Sequence, residues 1–160
     1  DDLQRKISAR EKPEEDNEIS WDTDHDVLYT MLCIAFFADQ EIDDVEKTVI
    51  FESFNNFVNN IDEEAFNEHL NIATTRFIDL KKEEARQNQF EESLEAIQNK
   101  PEANKKYLRE LLDTYLDIAN ADDFIHENEI MLINIAIKSW GLDISINKPK
   151  NNQKLKIENK

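Results

Sequence analysis

One glycine and three prolines in 160 residues leave little with which to build tight strand turns or a glycine-lined phosphate cradle. Cysteine is nearly absent too. Cys33 stands alone in the apolar run VLYTMLCIAFFA, so neither a disulfide nor a thiolate metal site is available, and a buried thiol in a reducing compartment is expected. No apolar stretch reaches the roughly 20 residues needed to cross a bilayer, and no basic-then-apolar signal peptide opens the chain. The expected address is the cytoplasm, with no direct membrane insertion.

Positive charge is in short supply. Nineteen Lys and Arg face 36 Asp and Glu, and the formal charge of -17 repels nucleic acid, anionic lipid and small oxyanions. Cations and basic protein partners are favoured instead. The segment 145–160 departs from this, with Lys148, Lys150, Lys154, Lys156 and Lys160 against Glu158 alone. Catalytic signatures are missing as well: there is no G-x-S-x-G and no Cys-His pairing to argue for, so a non-enzymatic protein is expected. His25, His69 and His126 are too dispersed for a recognisable zinc pattern, which points to surface or capping roles.

What is present is helical spacing. Leu28, Met31, Leu32, Ala35 and Phe36 form a stripe that Val27, Cys33, Ile34 and Phe37 widen nearly all round, predicting a central helix over 24–38. Ile50, Phe54, Phe57, Val58 and Ile61 predict a second helix over 43–59, ended by Asn59 and Asn60. A third carries Phe66, Leu70, Ala73, Phe77 and Leu80 behind Asp62 as N-cap. The thin stripe Phe90, Leu94 and Ile97 suits an outer helix over 83–99.

Pro101 fits the first turn of a helix whose buried face is Leu108, Leu111, Leu112, Tyr115, Leu116 and Ala119. The last strong helix, 127–140, is apolar on most sides and stops at Gly141, where a left-handed residue is wanted and Leu142 can pack back. Trp21 and Trp140 are expected in or at the edge of the core. The fold class is therefore all-α, a bundle of about six or seven helices, with a charged segment over 1–23, the helical domain over 24–143 and a basic polar tail over 144–160.

Two acidic stretches repeat. ADQEIDDVE at 38–46 and ADDFIHENE at 121–129 share A-D-x-x-I-x-x-x-E, and each joins two predicted helices. Two helix-turn-helix units related by a pseudo-twofold axis are the expected arrangement. The unit resembles the A-D-G-x-I-x-x-x-E signature of the TerB-like family, small all-helical proteins linked to bacterial tellurite resistance, a domain found also in a membrane-anchored J-domain co-chaperone. The resemblance spans about 24–142 and includes the closing SWGL. Gln40 and Asp123 stand where that signature has glycine, and Phe36 stands where it has a small residue. Aspartate accepts positive φ better than glutamine, so the second turn is the better preserved of the two.

Two roles remain open for these acids. Asp43 and Glu46 have the spacing of a capping box, as do His126 and Glu129, and acids suit the positive start of a helix. Alternatively D-x-x-I-x-x-x-E repeats the second half of an EF-hand calcium loop. The first half is missing, but Asp39, Asp43, Glu46, Asp122, Asp123 and Glu129, joined by Glu41 or Glu127, supply oxygens for a shared Ca²⁺ or Mg²⁺. The resemblance implies a stress-response setting, with a divalent cation, a protein partner or both as ligand. The alternative is an acidic adaptor, like the co-chaperone, with purely structural turns; a metal-dependent enzyme ranks last.

Overall fold

The computed structural model describes residues 21–39, 44–58, 61–121, 127–146 and 157–159. Six helices follow in order: α1 (Thr23–Asp39), α2 (Asp44–Phe57), α3 (Glu63–Asp79), α4 (Glu83–Gln98), α5 (Lys105–Asn120) and α6 (Glu127–Trp140). Two short strands, β1 (Ile144–Ile146) and β2 (Ile157–Asn159), pair antiparallel with Ser145 opposite Glu158. The all-α class is as expected, and the strand pair is an addition to it. Among the described residues, no helix is long and apolar enough to cross a membrane.

Every residue from Val27 to Ala35 is at most 1 % exposed. A helix apolar all round must be surrounded, and α1 packs against each of the other five helices. The hydroxyls of Tyr29 and Thr30 are paired inside the core. Thr30 Oγ1 donates to the Val27 carbonyl and accepts from Tyr115 Oη, both at 2.7 Å. Tyr29 Oη donates to the Arg86 carbonyl at 3.3 Å, and Trp140 Nε1 to that of Leu94 at 3.0 Å. Each such bond spares the core an unsatisfied polar atom worth about 1–3 kcal/mol. Cys33 is buried as expected, and burial pushes its thiol well above the usual range.

Local signals set most helix ends. Asp62 Oδ1 accepts from the Ala65 N–H at 2.8 Å, the cap expected for α3. Gly141 has φ +64°, its N–H reaches the Lys138 carbonyl at 3.2 Å, and the Leu142 N–H reaches Ile137 at 3.1 Å. That pair of bonds is a Schellman stop. Pro101 does not open α5. It lies in a turn in which the Ala103 N–H bonds the Lys100 carbonyl, and α5 starts four residues later behind Asn104, whose Oδ1 caps Tyr107 N–H at 2.8 Å.

Helix α4 departs from expectation in its neighbours. Phe90, Ser93, Leu94 and Ile97 are its buried residues, yet they seat it against both α1 and α6, while Glu91, Glu92 and Glu95 face solvent. A narrow stripe suffices because the partner helix is apolar on every side. Trp21 packs at the edge of the core, and Ile144 in β1 is itself buried.

Candidate functional site

The helices that flank the two acidic stretches end and begin at similar places relative to the motif. Helix α1 ends one residue beyond Ala38 and α5 ends one residue before Ala121, while α2 and α6 each begin two residues after the motif isoleucine. Asp39 closes α1 and Glu46 lies in the first turn of α2. Asp43, Asp122 and Asp123 lie outside the described residues, as do Glu41, Ile42, Ile125 and His126. Glu129 is in the first turn of α6 and only 1 % exposed. A carboxylate so deeply placed is costly unless it is hydrogen-bonded, paired or bound to a cation, so this position is built rather than incidental.

A second cluster forms at the opposite end of α1, from residues that look unrelated in the sequence. Asp22 is the residue before α1, and its Oδ1 accepts from the backbone N–H of Asp24 at 3.0 Å and of His25 at 3.3 Å. His25 Nδ1 lies 3.0 Å from the Asp22 N–H and 2.9 Å from Asp22 Oδ1. This is a capping box with histidine in the place of glutamate. The capping role expected for histidine is therefore met by His25, but the surface role is not: its ring is 4 % exposed. The dispersal along the chain misleads as well, because His69 from α3 stacks on His25 with ring centroids 4.5 Å apart and planes 17° apart.

The surroundings hold these rings in place. His69 Nδ1 sits 2.9 Å from the Ala65 carbonyl one turn earlier, which requires Nδ1–H and leaves the lone pair on Nε2. Trp21 also stacks on His25, with centroids 5.3 Å apart. Its Nε1–H donates to Asp26 Oδ1 at 2.9 Å, and the same oxygen accepts from Ser93 Oγ of α4 at 2.7 Å. Gln89 Nε2 donates to Ser93 Oγ at 3.1 Å, Arg76 Nη1 donates to Gln89 Oε1 at 2.9 Å, and the Arg76 guanidinium lies 4.1 Å over the Trp21 ring. The circuit closes from α1 through α4 and α3 back to Trp21. Burial raises the Asp26 pKa above the usual carboxylate value, against the bonds from Trp21 and Ser93 and the charges of His25 and Arg76.

Beyond Trp21 a shallow cleft of about 300 Å³ opens along α3, lined by Asn71, Ile72, Thr75, Arg76 and Asp79. Asp22, His25 and His69 each present a ligand atom within 4.8 Å of the others, a grouping the sequence did not reveal. The only sequence signal for it is weak: Asp22-x-x-His25 has capping-box spacing, and His69 falls among the inward positions of α3. No protein-family model, curated protein or solved structure matches this chain, so the TerB-like resemblance rests on the two acidic signatures and the closing SWGL.

Proposed function

We propose that this chain is a non-enzymatic, TerB-like binding module whose two acidic corners together hold a divalent cation of the Ca²⁺ or Mg²⁺ class and present a surface to a protein partner. The observation carrying this reading is the burial of Glu129 at the start of α6, where the signature ends. Hard oxygen ligands in a low-dielectric setting favour a hard cation.

The course of the helices supports it. Trp140, the last residue of α6, bonds Leu94, and the neighbouring Ser93 bonds Asp26 in the first turn of α1. Because α6 packs along α1, its start then leads toward the end of α1, where the first corner begins. Phe57, the last residue of α2, meets Tyr107 in the first turn of α5 with ring centroids 5.3 Å apart, so the start of α2 leads toward the end of α5. Thr30 and Tyr115 touch across 85 residues, close to the 83-residue offset of the signatures.

Calorimetry with Ca²⁺ and Mg²⁺ on the wild type and on Glu129→Gln tests the reading. Binding heat and a raised melting temperature are expected in the wild type and lost in the variant. Absence of both in the wild type removes the cation. A second reading, an acidic adaptor for a basic helix or tail, draws on Asp62 and Asn104, which cap their helices by hydrogen bonding alone. It predicts partner capture that weakens as salt rises.

A further inference from the structure

We propose a second and separate metal site in which His25 and His69, with Asp22 holding His25 from behind, bind one borderline divalent cation of the Zn²⁺ class. The argument does not depend on the acidic corners. It starts from an orphaned atom: His25 Nε2 is buried and has no hydrogen-bond partner, on a ring that is 4 % exposed. Either hydrogen arrangement leaves it so. If Nδ1 accepts from the Asp22 N–H, a proton on Nε2 has no acceptor. If Nδ1–H donates to Asp22 Oδ1, a lone pair on Nε2 has no donor. A buried polar atom left in this state costs about 1–3 kcal/mol, which a metal ion would recover.

The second arrangement is the one a metal ligand needs. A carboxylate on Nδ1–H fixes the tautomer and makes Nε2 more basic, and a backbone carbonyl does the same for His69 through Ala65. Both rings are thus held from behind by the kind of partner that orients metal-bound histidine. Asp22 stays behind His25, because a carboxylate on Nδ1–H cannot also reach a metal on Nε2 of the same ring. Two imidazoles with the remaining positions open to water suit Zn²⁺, Co²⁺ or Ni²⁺ rather than Ca²⁺.

The rings stack at 17°, so their lone pairs lie in nearly parallel planes, and closing the site requires the rings to tilt. Ligand atoms of a tetrahedral zinc lie about 3.3 Å apart, given bonds of about 2.0–2.1 Å. Each ring has one nitrogen within 4.8 Å of a nitrogen of the other, so the distance to close is short. The net charge of -17 draws cations to the surface.

The test uses the untagged chain with Zn²⁺ for calorimetry and Co²⁺ for visible d–d absorption. One ion per chain is expected, with tetrahedral or five-coordinate Co²⁺ bands that Zn²⁺ abolishes and excess Ca²⁺ does not. His69→Gln and Asp22→Asn weaken Zn²⁺ by at least about tenfold, and Asn still caps α1. His126→Gln and Glu129→Gln bind as the wild type does, which separates this site from the corners. Melting curves of the metal-free variants show that each remains folded. No Co²⁺ bands in the wild type, or binding undiminished in His69→Gln, overturns the proposal.

Discussion

The starts of α1 and α6 carry the same four-residue box with imidazole and carboxylate exchanged. At α1 Asp22 is the cap and His25 stands three residues on; in the sequence around α6, His126 is in front and Glu129 stands three residues on. The residue three positions on is buried in both, 4 % exposed for His25 and 1 % for Glu129. The cap of α1 is more than half exposed. A local pattern that spacing reveals thus acquires its weight from burial, and burial falls on the position facing the bundle.

Removing the more deeply buried member of the pair has the largest effect. Glu129→Ala empties core volume and strands whatever the carboxylate serves, and about 3 kcal/mol of stability is expected to go, read as a midpoint shift in urea unfolding. An effect under about 1 kcal/mol would place Glu129 on a level with an ordinary surface cap and end the comparison.

Asp26, one residue beyond the box of α1, sharpens it. Asp26→Ala leaves Trp21 Nε1 and Ser93 Oγ without their acceptor and is expected to cost about 2 kcal/mol, whereas Asp26→Asn keeps an acceptor and stays within about 1 kcal/mol. The pH dependence follows from the raised pKa. Between the unfolded value of about 4 and the higher folded value, the folded chain binds more protons, so this group's contribution is full below about 4 and is lost as pH rises through that window. Urea midpoints measured across the window in wild type and Asp26→Asn should differ in slope, with the variant flatter.

The smallest change is expected at the exposed cap. Asp22→Ala should cost about 1 kcal/mol and Asp22→Asn only a few tenths, both read from melting temperature. Equal losses in the two would mean that charge, rather than the hydrogen bonds to Asp24 and His25, holds the start of α1.

Features confined to a few neighbouring residues were legible in the sequence. The cap at Asp62, the stop at Gly141 and the all-round apolar face of α1 depend on spacing alone, and each is where spacing puts it. Pro101 was misleading because a proline that suits a helix start also suits a turn, and Asn104 supplied the better cap. Helix α4 looked peripheral because its stripe is thin, and nothing local announces that its neighbour is the central helix. The strands β1 and β2 are three residues each, too short for alternation to register. His25 and His69 are 44 positions apart, and only the packing of α3 against α1 makes them neighbours. Of the corner acids, Glu129 shows its burial, and its place among polar residues at the start of α6 gave no sign of it.

The position of α1 has a consequence for how the chain comes apart. Each of the other helices rests on it, so no pair of them owns a core that survives its departure. Loss of α1 is loss of the whole, and unfolding should be cooperative: fluorescence of Trp21 and Trp140, at opposite ends of the sequence, and helical circular dichroism should trace a single coincident transition.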